Sequence, residues 1–107
     1  MTGELAVASD VPGAGNVFAL HAAVPNPFNP LTKLSFTIPT DGNVQLVVYD
    51  IAGREVITLL DEVRTAGTHT VQWNGQDRQG NQAASGVYLY RLRTGDGVEF
   101  RRMTLLK

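Results

Sequence analysis

Residues 32 to 49 read TKLSFTIPTDGNVQLVVY, and how this stretch is read decides the fold. Leu34, Phe36 and Ile38 alternate with Lys33, Ser35 and Thr37, the period of two that puts one face of a strand into a core and the other into water. Pro39 and Asp41-Gly42 break the run, and Asn43 to Tyr49 starts again with Val44, Leu46 and Val48 on one side. Val47 and Tyr49 on the opposite side predict a strand covered in part on both faces. Short β runs broken by turn signals at this spacing are what an antiparallel sandwich or barrel produces.

The pattern continues outward from there. Asp50 to Gly53 is a tight turn and Arg54 to Leu60 a further strand, in which Val56, Ile57, Leu59 and Leu60 depart from strict alternation. After Ala66-Gly67, residues Thr68 to Trp73 place His69, Val71 and Trp73 on one face. Asn74 to Ser85 is a polar loop, long for a hairpin. Gly86 to Arg93 and Val98 to Leu106 form a last hairpin about Thr94-Gly95-Asp96-Gly97. Val17 to Ala22 adds a weaker first strand, and no helix is signalled. About seven short strands of this kind predict an all-β chain, an immunoglobulin- or fibronectin III-like antiparallel sandwich with Trp73, Tyr88 and Tyr90 at its aromatic centre.

The 107 residues suit one domain, and 43% hydrophobic with 18% charged residues is a globular balance. A net charge of −1 argues against a nucleic-acid partner. The absence of cysteine rules out disulfides and thiolate metal sites. No run approaches the roughly 20 apolar residues of a membrane-spanning helix. MTGELAVASDVPGAG, residues 1 to 15, lacks the basic region and apolar core of a signal peptide and has the composition of a linker. The expected organisation is therefore a linker over residues 1–16 and a folded domain over residues 17–107, a piece of something larger.

One segment needs its own account. Residues 24 to 30, VPNPFNP, cannot be helix or interior strand, because each proline fixes φ and removes a donor. Pro25, Asn26, Pro27, Phe28, Asn29 and Pro30 make a rigid clasp. Phe28 is expected to plug an open end of the sandwich, the asparagines to satisfy backbone groups the prolines leave unpaired, and the whole to set the entry from linker into fold.

Several stretches together carry a resemblance: PNPFNP (25–30), VYDIAGREV (48–56), AGTHTVQWNGQDRQGN (66–81), ASGVYLYRL (84–92) and RRMTLLK (101–107). From about Val17 to Lys107 the chain resembles the type A C-terminal sorting domain of the type IX secretion system, and equally the related immunoglobulin-like module of the flagellar hook-capping protein. The resemblance implies a module at the end of a large exported protein of a Gram-negative bacterium, destined for the outer-membrane surface or the medium. Its final strands would be read by the outer-membrane secretion machinery, and the ending LLK suits such a signal. The positions that match are residues 25 to 27, the step Gly86-Val87-Tyr88 and the last strand to Lys107. Partner recognition is accordingly expected at Gly86, Tyr88, Arg101, Arg102 and Lys107. The alternative is a structural spacer or an adhesion module appended to a secreted enzyme.

Other chemistry is poorly supported. Asp77 is the one carboxylate in NGQDRQGN, too few for calcium, and is expected to accept backbone N–H groups instead. Arg91, Arg93, Arg101, Arg102 and Lys107 gather five of the nine basic residues into the last hairpin, a stripe for a partner or a guard that keeps an edge strand soluble. His21 and His69 are isolated and Ser85 lacks a nucleophile-elbow context, so the chain is not expected to be an enzyme, nor to take a cofactor or small-molecule substrate. Carbohydrate binding would need Trp73, Tyr49, Tyr88 and Tyr90 exposed as a platform, whereas their alternation predicts burial.

Overall fold

A computed structural model describes residues 17–107, so the linker expected over residues 1–16 lies outside the described residues. Among the described residues every element is a strand: β1 (Ala19–Leu20), β2 (Thr32–Ile38), β3 (Gly42–Asp50), β4 (Glu55–Arg64), β5 (Gly67–Trp73), β6 (Gly86–Thr94) and β7 (Gly97–Leu105). They form two antiparallel sheets, ordered β1-β2-β5 and β4-β3-β6-β7. The alternation in β2 and β3 does what it predicts. Leu34, Phe36, Ile38, Val44, Leu46 and Val48 are all buried between the sheets, where each such side chain contributes about 1.5–3 kcal/mol. Val47 and Tyr49 lie on the outer face, Val47 buried and Tyr49 half-buried, so β3 is covered on both sides.

The strand that breaks alternation has a geometric cause. Leu46 faces Leu60 while Val47 faces Thr58, and Val48 faces Ile57 while Tyr49 faces Glu55. Leu59 and Val56 are therefore the extra residues of two β-bulges. Each bulge resets which side chains point inward, which is why four apolar residues crowd into five positions there. β4 also runs on to Arg64, four residues beyond the sequence expectation, and β1 keeps only two of the six residues expected of it.

The length of the Asn74–Ser85 connection is explained by topology. β5 and β6 belong to different sheets, so the loop is a crossing between layers rather than a hairpin. Asp77 organises it as expected, its Oδ1 accepting the N–H groups of Gln79 and Asn81, each at 2.9 Å. Gly75 starts the crossing with φ of +79°, and a Cβ there would stand 2.6 Å from Gln82 Nε2 and 3.3 Å from the Pro30 carbonyl. Gly75→Ala is expected to cost about 1–2 kcal/mol from the left-handed backbone alone, read as a lower urea midpoint at unchanged slope.

Candidate functional site

The clasp and the last strand are one unit. Val24 pairs with Lys33 through hydrogen bonds of 3.0 and 2.9 Å, and the buried Thr32 hydroxyl donates to the Pro25 carbonyl at 2.8 Å, so the clasp is sewn to the start of β2. Its other side meets β7. The Asn26 carboxamide accepts the Thr104 N–H at 2.9 Å and donates to the Arg102 carbonyl at 3.5 Å, as a backbone peptide of a neighbouring strand would. Phe28 then donates its own N–H to the Thr104 carbonyl and accepts the Leu106 N–H, both at 2.9 Å, in a parallel bridge centred on Leu105. The expectation is corrected in two respects. Asn26 satisfies the edge of the last strand, not groups left open by the prolines, and the clasp links β1 to β2 instead of leading from linker into fold.

Phe28 is the plug that the sequence predicts, with 2% of its surface exposed. Its ring lies 5.5 Å from Trp73, which lies 5.4 Å from Tyr88 in an edge-to-face arrangement. Each such pair adds about 0.5–1.5 kcal/mol beyond the area it buries. The polar ends of the seam are satisfied: Trp73 Nε1 donates to the Gln76 carbonyl at 2.9 Å and the Tyr88 hydroxyl to the Ala84 carbonyl at 2.6 Å. A tyrosine bonded to backbone four residues upstream is the corner found in immunoglobulin-like sandwiches.

The expected recognition residues separate into two groups. Tyr88 is buried and its hydroxyl is spent, so it supports the rim of the sandwich and does not face a partner. Gly86 opens β6 opposite Leu105. Arg101 turns to the inner side, where its Nε donates to the Leu20 carbonyl while Glu99 accepts the Leu20 N–H at 3.0 Å. Arg102 and Lys107 are exposed, with the Lys107 N–H donating to Ser85 Oγ at 3.0 Å. The five basic side chains thus do not form one stripe, because consecutive residues of a strand face opposite ways. Nor do the aromatics form a platform: Trp73, Tyr88 and Tyr90 are buried, and the Arg91 guanidinium lies 5.4 Å above the Tyr49 ring.

Phe100 passed unnoticed in the sequence, yet it is exposed on the outer face of β7 beside Val98. The inward positions of that strand begin with Glu99 and Arg101 and turn apolar only at Met103 and Leu105, which disguises the alternation.

Two antiparallel sheets in three-plus-four order, joined by an aromatic seam and a tyrosine corner, define an immunoglobulin-like module. Residues 31–97 match the family described as the FlgD Ig-like domain, and the chain belongs to that family. No match was found among curated proteins. Among solved structures, FlgD from Pseudomonas aeruginosa is 28% identical with a TM-score of 0.56, over 69% of this chain and 57% of that one. Dimeric latent PorU from Porphyromonas gingivalis gives a TM-score of 0.67 at 21% identity, over 85% of this chain and 9% of that one. PorZ from the same organism, an essential bacterial surface component of the type-IX secretion system, gives 0.56 at 20% identity, over 84% of this chain and 11% of that one. The chain thus spans about a tenth of the length of PorU or PorZ, and the likeness to them is one of fold.

The clasp should be measurable as a unit. Phe28→Ala is expected to cost about 3–5 kcal/mol and to speed amide exchange at Leu106, whose N–H bonds to residue 28. Asn26→Ala should cost about 1 kcal/mol and deprotect Thr104. Equal exchange at both amides in both variants would contradict the pairing.

The tyrosines set a second expectation. Burial raises the Tyr90 pKa above its ordinary 10.0, opposed in part by Arg101, and burial followed by the charge of Asp50 raises that of Tyr88. Both hydroxyls stay protonated in the folded chain where the unfolded chain begins to ionise. Their contribution to stability is therefore whole below about pH 10 and is lost as pH rises through the folded values. Urea midpoints should be level up to about pH 9 and fall beyond it, less steeply in Tyr90→Phe.

Proposed function

We propose that this domain is a non-catalytic module of a larger exported bacterial protein and serves as its sorting signal to the cell surface, its last strand being taken by the secretion machinery. The observation that carries this reading is the placement of β7. It is an edge strand of its sheet, its outer face is in solvent from Val98 to Arg102, and the clasp fastens its far end. The fold shared with PorZ, a surface component of a type-IX secretion system, supports the same assignment.

A spacer that joins or orients other domains is the second reading, and one observation favours it. The family match begins at residue 31 and ends at residue 97, so it contains neither the clasp nor β7 beyond Gly97, on which sorting would depend.

The readings part in a cell. Residues 17–107 fused behind a reporter should carry it to the surface of a host with a type IX system, and removal of Met103 to Lys107 should abolish export. Met103 and Leu105 are buried, so a shorter deletion of the exposed Leu106 and Lys107 separates loss of signal from loss of fold. Export unaffected by the five-residue deletion would leave the spacer standing.

A further inference from the structure

The edge of β7 is guarded along only half its length. A two-residue loop, Gly95-Asp96, pairs Thr94 with Gly97, so the odd-numbered residues of β7 bond to β6 and the even-numbered ones present N–H and C=O to the open edge. The clasp fills that edge at Arg102, Thr104 and Leu106. Upstream, among the described residues, no hydrogen bond from outside the hairpin reaches the backbone of Val98 or Phe100, because β1 stands off behind the side chains of Glu99 and Arg101. The side chains at this open stretch are apolar and in water, Val98 at 50% exposure and Phe100 at 56%. An edge of that character is a template for another strand.

Its charge says what kind of strand. Across the sheet Phe100 faces Arg91, Val98 faces Arg93 and Arg102 faces Leu89, so three guanidinium groups share the outer face with the apolar residues. Behind Phe100 a groove of about 280 Å³ is lined by Tyr49, Gly53, Leu89, Arg91 and Phe100, without a carboxylate. Glu99 is turned away and bonded to Leu20, while Glu55 and Asp61 stand on β4 at the opposite edge of the sheet. Two copies meeting here would set Arg91, Arg93 and Arg102 of each on one continuous face, which like charge opposes.

We infer that the open half of β7 is a strand-addition site for an extended, acidic segment of a partner protein. The partner's backbone pairs with Val98 and Phe100, its apolar side chains pack beside those two residues, and a carboxylate meets Arg102. The site deepens the proposed function by saying where the partner is held, and rests on that reading for the partner's being a protein. Binding is measured without an export host, so the two fail separately.

The probe is a nine-residue synthetic peptide alternating glutamate with valine and phenylalanine, with a lysine-for-glutamate peptide as control, added to the ¹⁵N-labelled full chain. Amide signals of Val98 and Phe100 should shift and their exchange slow with the acidic peptide alone, and affinity should fall with added salt. Val98→Pro removes an outward donor without touching the ladder to β6. Phe100→Lys installs the guard that natural edges carry, and Arg102→Glu reverses the charge. Each variant is expected to weaken binding by about tenfold or more. Absence of binding, equal binding of the lysine peptide, shifts confined to other strands, or affinity indifferent to both Val98→Pro and Phe100→Lys would overturn the inference. So would sedimentation showing the same edge filled by a second copy.

Discussion

The structure depends on a single lateral contact, the pairing of Phe28 and its flanking clasp with the end of β7. Edge strands are left with one row of unpaired backbone groups, and β7 lies at an edge of its sheet. The clasp answers with a side-chain amide and one aromatic residue, and the same aromatic ring closes the space between the sheets against Trp73. One segment thereby fixes the sheet edge, the sandwich end and the start of β2 at once. The prolines on either side lie at bends of the chain and, lacking an N–H, compete for no strand partners of their own.

From that contact the remaining arrangement follows in order. The seam Phe28–Trp73–Tyr88 links clasp, β5 and β6 across the two layers. The Tyr88 hydroxyl fixes the crossing loop at Ala84, and the Lys107 N–H reaches Ser85 beside it. At the opposite end, among the described residues, the hydrogen bonds that tie β1 to β7 run through the side chains of Glu99 and Arg101 to Leu20, and the Tyr90 hydroxyl reaches the His21 carbonyl at 2.6 Å. The sandwich is therefore closed by backbone at one end of β7 and by side chains at the other. That asymmetry makes one half of the strand available and the other half structural.

Strand by strand, β2, β3, β5 and β6 were legible to within a residue or so because one face of each is buried and a period of two follows directly from that, while β7 was placed by the turn that precedes it. β4 was legible as a strand but not in its register, since bulges at Leu59 and Val56 erase the alternation that would reveal it. The plug at Phe28 could be foreseen from an aromatic residue among prolines. Its partner could not: nothing local in sequence says that Asn26 will meet Thr104, because that contact is created by the closing of two sheets. For the same reason the recognition residues expected from resemblance were scattered. Tyr88 turned out to be core, Arg101 to be inward, and Phe100 to be the residue on display, a distinction settled by strand register and not by residue type.

The clasp also has a bearing on when the domain is finished. Asn26 and Thr104 are 78 positions apart, so the bond between them is a late, long-loop event, out of reach while the tail of the chain is still being made. During synthesis the sandwich cannot lock shut before β7 has left the ribosome. Until Thr104 is available, Asn26 and Phe28 have no strand edge to meet, and the module stays open on that side.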